Sequence, residues 1–431
     1  MKKAFFSRFN DFFGELMKSK MFFNSAVIST VSIGAGFVNF LFTLIIGRIL
    51  GKQQYGVIAP LLSFFLIVSL PASALQMVFS KDISSLLSRG TFSTLKEYIV
   101  RIFKLVLFFI IIIESLLFLS LPFLKSYFHL NENLTFVFIF ILSGLTLFII
   151  PFNSLIQSRE DLRAYIISNV IANLTKFFVG VTLVYILSTY FGVLIALFIS
   201  QGALISFLLF DFFKFRNKNL ASTSGEVEKD FLRIDRIMKS FLNSFVSVFA
   251  FQLFSYMDTI LVRHYLPEES GVYAMVAMLG KASFYIASSV SFVMLPLMSK
   301  DKKNMEKSNL KALLFLTLIL LSYIFVLVFG GNFISSVLFA NKFIGMEKIL
   351  SLYGFMFLPY ALISYFVNYY VIKEKLFYSI TIFSGILIQY FGMYFFHADL
   401  IQISLVVGFS GGIVLVVLLA DLLLFFKKKL Q

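Results

Sequence analysis

The sequence predicts an all-α polytopic membrane protein with twelve transmembrane helices in two six-helix lobes. Its composition is the first observation: of 431 residues, 59% are hydrophobic and 14% are charged, and the mean hydropathy is +0.93. So few charges do not cover the surface of soluble domains. The second is a series of twelve apolar runs of about the 20 residues that a spanning helix needs. The third is that the longest polar stretch falls at the midpoint of the chain and separates two groups of six runs.

Each apolar run predicts a helix rather than a barrel strand, because the runs are long and do not alternate with period two. The first group comprises residues 22–47, 56–79, 105–124, 134–157, 164–187 and 191–213. The second group comprises residues 241–262, 271–297, 312–330, 349–371, 376–396 and 400–426.

The layout of positive charge predicts the orientation. An even number of spans places both termini on one side. The termini and even-numbered loops hold 29 of the 37 Lys and Arg residues, and the odd-numbered loops hold 6. The positive-inside rule therefore places both termini in the cytoplasm. The same layout accounts for the net charge of +15 and leaves no basic cluster that would indicate nucleic acid as a partner.

These spans divide the chain into five segments. Residues 1–20 are predicted to form an amphipathic interfacial helix on the cytoplasmic face, because apolar residues recur at helical spacing between flanking lysines and arginines. Residues 21–213 and 241–426 are the N-terminal and C-terminal six-helix lobes. Residues 214–240 are a cytoplasmic linker between them, and residues 427–431 are a cytoplasmic basic tail.

The composition also excludes several kinds of site. The chain has no cysteine, so a disulfide scaffold, a thiol enzyme and a Cys-ligated metal site are excluded. Its three histidines, His129, His264 and His397, lie far apart in sequence, which argues against a His-rich metal site. We therefore predict no metal and no cofactor.

An internal repeat links the two halves. Arg48, Gly56, Val57 and Ala59 after the first span match Arg263, Gly271, Val272 and Ala274 after the seventh, at an offset of 215 residues. Six spans followed by six in the same orientation predict parallel repeats related by a pseudo-twofold axis along the membrane normal. Such repeats enclose a central cavity, and rocking of the lobes gives alternating access.

The repeat motifs resemble a known family. Gly47-Arg48-x-Leu50-Gly51-x3-Tyr55-Gly56 is similar to the signature of polysaccharide flippases, as is Asp258-x2-Leu261 with Gly271-Val272-Tyr273. These flippases belong to the multidrug, oligosaccharidyl-lipid and polysaccharide exporter superfamily. The resemblance implies transfer of an undecaprenyl-pyrophosphate-linked oligosaccharide from the inner to the outer leaflet of the bacterial inner membrane.

Charged residues deep in spans are costly, so they are candidate functional residues. Lys176 is near the centre of the fifth span, where Tyr165, Asn169, Asn173 and Lys176 fall close to one helical face. One interpretation is a cavity wall whose ammonium group holds a phosphate. The other is a helix–helix contact in which the amides tie neighbouring helices together.

The second deep lysine, Lys281, is about 15 Å from the outer end of the eighth span. It is a candidate second phosphate contact. The alternatives are neutralisation by Asp258 in the seventh span, or burial in the uncharged form.

Four further residues are candidates: Glu114, which is also deep in its span, and Asp258, Arg48 and Arg263, which lie nearer the span ends. Glu114 has only apolar neighbours on its face of the third span, which fits either an ion-coupling site or a neutral structural residue, and Asp258 is a second candidate for coupling. Arg48 and Arg263 end their spans on the outer side, where they fit either reception of the pyrophosphate or anchoring to lipid phosphates.

The residues and the resemblance together favour a flippase over three alternatives. A multidrug or cation exporter of the same fold would need an acidic and aromatic site, whereas two lysines and one glutamate lie deep in the spans here. A membrane enzyme would need a sizeable outer loop or a catalytic cluster, so we expect no enzyme activity. A non-transporting subunit of a polysaccharide-synthesis complex stays open. The expected partners are the lipid-linked oligosaccharide, membrane lipids, and polymerase or glycosyltransferase machinery.

Overall fold

A computed structural model gives the fold of residues 20–219, 234–288, 290, 305–339, 342–343, 345–373 and 377–430. These residues are almost entirely helical. The N-terminal helices are α1 (Lys20–Val68), α2 (Leu70–Arg89), α3 (Phe92–Phe128), α4 (Asn133–Ser158), α5 (Leu162–Leu187) and α6 (Phe191–Asn219). The C-terminal helices are α7 (Ile234–Tyr265), α8 (Ser270–Lys281), α9 (Met305–Phe333), α10 (Met346–Lys373), α11 (Phe377–Phe395) and α12 (Leu400–Leu430).

Helix α1 contains the first span and the beginning of the second. Its 49 residues would extend about 74 Å at 1.5 Å per residue, more than twice the ~30 Å hydrocarbon core. The chain bends at Gly51, whose φ of 69° lies in the left-handed region that favours glycine. A second break separates α1 from α2 at Ser69, where Pro71 lies in the first turn of the new helix.

Twelve spans follow from these breaks. Within the described residues, ten helical segments are long and apolar enough to cross a membrane, and one of these, Thr30–Arg89, has 60 residues. The bend at Gly51 divides that segment into two spans. Helix α7, with 32 residues, is the twelfth. The prediction of a twelve-helix polytopic membrane protein is confirmed.

Two lobes of six spans pack around a central cavity. In the N lobe, α5 packs on α1 and α6, and α4 packs on α2, α3 and α6. In the C lobe, α10 packs on α8, α9 and α12, and α11 packs on α7 and α12. The lobes meet where α7 and α8 contact α1 and where α7 contacts α2. The lipid-facing surfaces are apolar; Leu119 of α3, for example, is 79% exposed.

The two copies of the repeat motif meet at one end of this interface, which we name the outer end after the orientation predicted from charge. The Ser270 hydroxyl donates to the Gly56 carbonyl at 3.0 Å. A Cβ added to Gly56 would lie 2.7 Å from the Gly271 nitrogen, and one added to Gly271 would lie 1.9 Å from the Lys52 carbonyl oxygen. The matching glycines of the repeat therefore permit close backbone contact between the lobes.

The opposite, inner end also has an inter-lobe contact. The Arg236 guanidinium of α7 lies 3.3 Å from a carboxylate oxygen of Asp82 in α2. The Tyr98 hydroxyl of α3 donates to the other Asp82 oxygen at 2.9 Å. The lobes are thus joined at both ends, on either side of the cavity between them.

Several predicted boundaries differ from the structure. Within the span predicted over 271–297, α8 ends at Lys281 and a turn at Ala282 precedes helical residues 283–288, so that Ser270–Ser288 forms one apolar helical segment. Helix α6 continues to Asn219 and α7 begins at Ile234, so both ends of the predicted linker 214–240 are helical. Likewise α12 runs to Leu430 and includes most of the predicted tail. The predicted interfacial helix 1–20 lies outside the described residues, apart from Lys20, where α1 begins.

Candidate substrate cavity

A cavity of about 350 Å³ lies between the lobes, with residues of α1, α5 and α6 on one side and of α7 and α8 on the other. Lys176 of the N lobe and Lys281 of the C lobe both line it. No Asp or Glu is among the described residues of its wall. Its other polar and tyrosine lining residues are Asn39, Thr43, Tyr55, Ser63, Tyr256, Thr259 and Tyr285. The wall is therefore cationic and can attract an anionic group.

Lys176 reaches this cavity from α5 and has a neutral partner. Its Nζ donates to Asn39 Oδ1 of α1 at 2.7 Å, and the ammonium group lies 5.6 Å from the centroid of the Phe42 ring. An amide oxygen and an aromatic face orient a cation but do not neutralise it. Lys176 therefore retains a net positive charge at the cavity wall.

Lys281 is held by a carboxylate immediately behind the wall. Its Nζ lies 2.8 Å from Asp258 Oδ1 and donates to Thr259 Oγ1 at 3.0 Å. The Asp258 side chain is only 1% exposed and also accepts hydrogen bonds from the hydroxyls of Tyr273 and Tyr353, at 3.0 and 2.8 Å. The sequence left open whether Lys281 contacts a phosphate, is neutralised by Asp258 or is buried uncharged. In the structure Lys281 is paired with Asp258, and it also lines the cavity.

The polar stripe of α5 is divided between helix contacts and cavities. The Tyr165 hydroxyl lies 3.0 Å from the Ser32 hydroxyl of α1, so the stripe contacts α1 through Tyr165 and not through its amides. The Asn169 and Asn173 amides each donate to the backbone carbonyl four residues earlier, and Asn173 also lines a second cavity. Thus the stripe packs on α1 and also supplies groups to the cavities.

This second cavity, the N-lobe chamber, is lined by residues of α2, α4, α5 and α6 and has a volume of about 260 Å³. It shares Lys176 and Leu197 with the central cavity. Its other polar lining residues are Gln76, Thr146, Asn153, Asn173, Ser200 and Gln201. No residue with a carboxylate is among the described residues of its wall.

Arg48 and Arg263 lie at the outer end and not at the wall of the central cavity. Arg263 is 8% exposed, and its guanidinium donates to the carbonyls of Phe128 at 2.9 Å and Pro267 at 3.2 Å. Arg48 donates to the Val337 carbonyl at 3.4 Å, across the lobe interface. In this arrangement both arginines hold the lobes together where the repeat motifs meet.

Glu114 lies on α3 and packs against α4 within the N lobe. Ser143 of α4 donates to Glu114 Oε1 at 2.8 Å, and the absence of a side chain at Gly144 leaves room for the carboxyl group. Its neighbours on α3, Ile111 and Phe118, are 65% and 52% exposed on the lipid-facing surface. Glu114 lines neither cavity.

Several residues of the site had not been predicted from the sequence. Asn39 orients Lys176, and Tyr256 faces Lys281, with its ring centroid 4.7 Å from the ammonium group. Asn39 could have been found from the sequence, because Ser32 and Asn39 are polar residues seven positions apart on one face of the first span. The chamber residues Asn153 and Gln201 each adjoin one serine, Ser154 or Ser200, and the sequence analysis did not identify them.

Two lobes of six membrane-spanning helices around a cavity define the class as a transporter fold. The solved structure of an inward-facing MATE multidrug resistance transporter of the MOP superfamily matches with a TM-score of 0.67 at 13% identity, covering 94% of this chain and 98% of that one. The family of this chain is also clear: the family of polysaccharide biosynthesis proteins matches residues 22–302, about two thirds of the sequence. The chain therefore belongs to the polysaccharide biosynthesis protein family.

Other solved structures share this fold. The lipid II flippase MurJ in an inward closed conformation has a TM-score of 0.62 at 19% identity, covering 93% of this chain and 87% of that one. A MOP superfamily transporter from Pyrococcus furiosus, whose reverse polarity of the binding pocket suggests a different function, has a TM-score of 0.60 at 15% identity and covers 97% and 98%. No curated protein sequence matches the chain.

Proposed function

We propose that the chain is a flippase that moves an undecaprenyl-pyrophosphate-linked oligosaccharide from the inner to the outer leaflet of the bacterial inner membrane by alternating access. The observation that carries the proposal is the pair of lysines, Lys176 and Lys281, on opposite lobes of a cavity whose described wall has no carboxylate. Membership of the polysaccharide biosynthesis family and the fold shared with a lipid II flippase support it. Both termini would be cytoplasmic.

The lysines would act in different ways. Lys176 already carries an uncompensated charge, so it is the first contact for the pyrophosphate. Lys281 would exchange Asp258 for a phosphate oxygen as the head group enters. Asp258 would then lose its cationic partner, and an unpaired carboxylate in a buried site is costly. This step makes Asp258 the proposed coupling group. Asn169 and Asn173, which lie on the same helix as Lys176, are proposed as further polar contacts for the substrate.

The arginines would act at the end of the cycle. Arg48 and Arg263 donate across the outer contact, and separation of the lobes there would free both guanidinium groups. Each could then receive the pyrophosphate through bidentate hydrogen bonds as it leaves the cavity. A cation exporter is disfavoured, because its cargo would meet the uncompensated ammonium group of Lys176 and a described wall without a carboxylate.

Transport in proteoliposomes tests this function. The assay follows a fluorescent undecaprenyl-pyrophosphate-linked oligosaccharide as it becomes accessible to a membrane-impermeant quencher. Lys176→Ala should slow flipping by about tenfold or more, because a hydrogen bond to a charged group is worth about 1.5–3 kcal/mol. Lys176→Arg should keep partial activity, since it keeps the charge.

Lys125 supplies the matched control. It lies near the outer end, donates to Asn133 at 2.8 Å and lines neither cavity, so Lys125→Ala should stay within about twofold of wild type. Wild-type flipping by Lys176→Ala would contradict the phosphate role. If wild-type protein does not flip the lipid at all, a non-transporting subunit becomes the better assignment.

A further inference from the structure

The N-lobe chamber differs from the central cavity in the groups that it offers a ligand. Its polar wall is made of amides and hydroxyls, with Lys176 at the boundary with the central cavity. Amide side chains and hydroxyls both donate and accept hydrogen bonds, as the hydroxyls of a sugar do. A polyprenyl tail would leave these groups unpaired, so the chamber does not suit the lipid part of a substrate.

One group of the wall lacks a partner. Gln201 donates from Nε2 to Thr146 Oγ1 at 2.9 Å, but its buried Oε1 has no hydrogen-bond partner in the described part of the chain. Buried amide oxygens are normally paired. Because Gln201 lines the chamber, rotation of its amide toward the chamber would let a ligand hydroxyl donate to Oε1 and satisfy it.

The size of the chamber limits the ligand. Its volume of about 260 Å³ is below the roughly 300–1,000 Å³ of sites for drug-sized molecules and matches one ring-sized group. The charge limits it further. Lys176 is adjacent and no described wall residue carries a carboxylate, which disfavours a metal ion or an ammonium group.

The position of the chamber identifies which ring it would hold. In a lipid-linked oligosaccharide, the first sugar is bonded directly to the pyrophosphate, so its site must adjoin the phosphate site. Lys176 belongs to both walls and meets this requirement. We propose that the N-lobe chamber is the subsite for the sugar attached directly to the pyrophosphate, with Asn153 and Gln201 as the amides that bind its hydroxyls. This inference rests on the proposed function.

Binding of two classes of lipid to the purified full-length protein in nanodiscs tests it. The probes are undecaprenyl pyrophosphate and the same lipid bearing one hexose or one N-acetylhexosamine. At least one glycosylated lipid should bind about tenfold more tightly than the bare lipid, because it pairs chamber groups that otherwise stay unpaired. Lys176→Ala should weaken binding of both classes.

Two chamber variants separate the sugar from the phosphate. Asn153→Leu combined with Gln201→Met keeps side-chain size and removes both amides, so it should abolish most of the gain from the sugar while the bare lipid binds within about twofold of wild type. Asn153→Leu alone gives the same test with a smaller change to the fold. Gln402→Leu, near the outer end and outside both cavities, is the control for loss of an amide.

The outcomes distinguish this inference from the proposed function. If the bare lipid binds through Lys176 but no glycosylated lipid binds more tightly, the sugar subsite is wrong and the pyrophosphate site stands. Equal losses for both lipid classes in the chamber variants, despite unchanged thermal stability, would also overturn the subsite. If wild-type protein binds none of the lipids, the proposed function fails and the subsite with it.

Discussion

Lys281 and Asp258 should depend on each other for stability. Lys281 Nζ lies 2.8 Å from Asp258 Oδ1, and the two side chains are 11% and 1% exposed. Replacing one member of such a pair leaves an uncompensated buried charge, which costs about 3–5 kcal/mol. We therefore expect Lys281→Met and Asp258→Asn each to lower the free energy of unfolding by about 3–5 kcal/mol.

The double variant should be more stable than either single variant. Met fills most of the lysine volume, and an Asn carbonyl can still accept from the hydroxyls of Tyr273 and Tyr353. Replacing a buried ion pair by groups of similar volume is often neutral, so the double variant should lose no more than about 2 kcal/mol. Lys125→Met, which breaks no buried pair, should change stability by less than about 0.5 kcal/mol.

The measurement is a double-mutant cycle of unfolding free energies in detergent micelles, with thermal melting in nanodiscs as a second readout. The pairing would be refuted if the losses of unfolding free energy in the two single variants simply add in the double variant. It would also be refuted if Lys281→Met is as stable as wild type. The cycle also decides how transport is tested. Lys281→Ala alone confounds loss of a phosphate contact with loss of stability. The double variant keeps stability, so it tests the joint loss of the phosphate contact and of the proposed coupling group without a change in folding.

Three other predictions concern closure, coupling and orientation. Gly271→Ala should loosen the outer contact, because its Cβ would lie 1.9 Å from the Lys52 carbonyl oxygen. A cysteine introduced at Ser63, in the cavity, should then react faster with an external, impermeant thiol reagent. An unchanged reaction rate would contradict the role of this glycine. Glu114→Gln should leave transport and its dependence on a proton gradient unchanged, since Glu114 lines neither cavity; loss of that dependence would make Glu114 the coupling group. Single cysteines near both termini and in the inter-lobe segment should resist the same reagent in intact cells, and labelling of all three would invert the topology. Those positions are Lys18, Gly225 and Lys428.

The sequence by itself determined the class, the number of spans and the repeat. Apolar runs of spanning length predict helices irrespective of their partners, because a backbone in lipid must satisfy its own hydrogen bonds. Lys176 and Lys281 could also be identified, because charge within a span is rare and costly. The Arg48 and Arg263 motifs indicated equivalent places in two repeats, and both lie at the outer end.

The tertiary structure decided which of these residues meet. Lys281 and Asp258 are 23 positions apart, and their pairing depends on how α8 packs beside α7. Lys176 and Asn39, 137 positions apart, are joined only by the packing of α5 on α1. Helical periodicity assigns a residue to a face of its own helix but does not say which helix covers that face. For that reason the sequence identified the two lysines as candidates, and only the packing of the lobes placed them in one cavity while leaving Glu114 near the lipid.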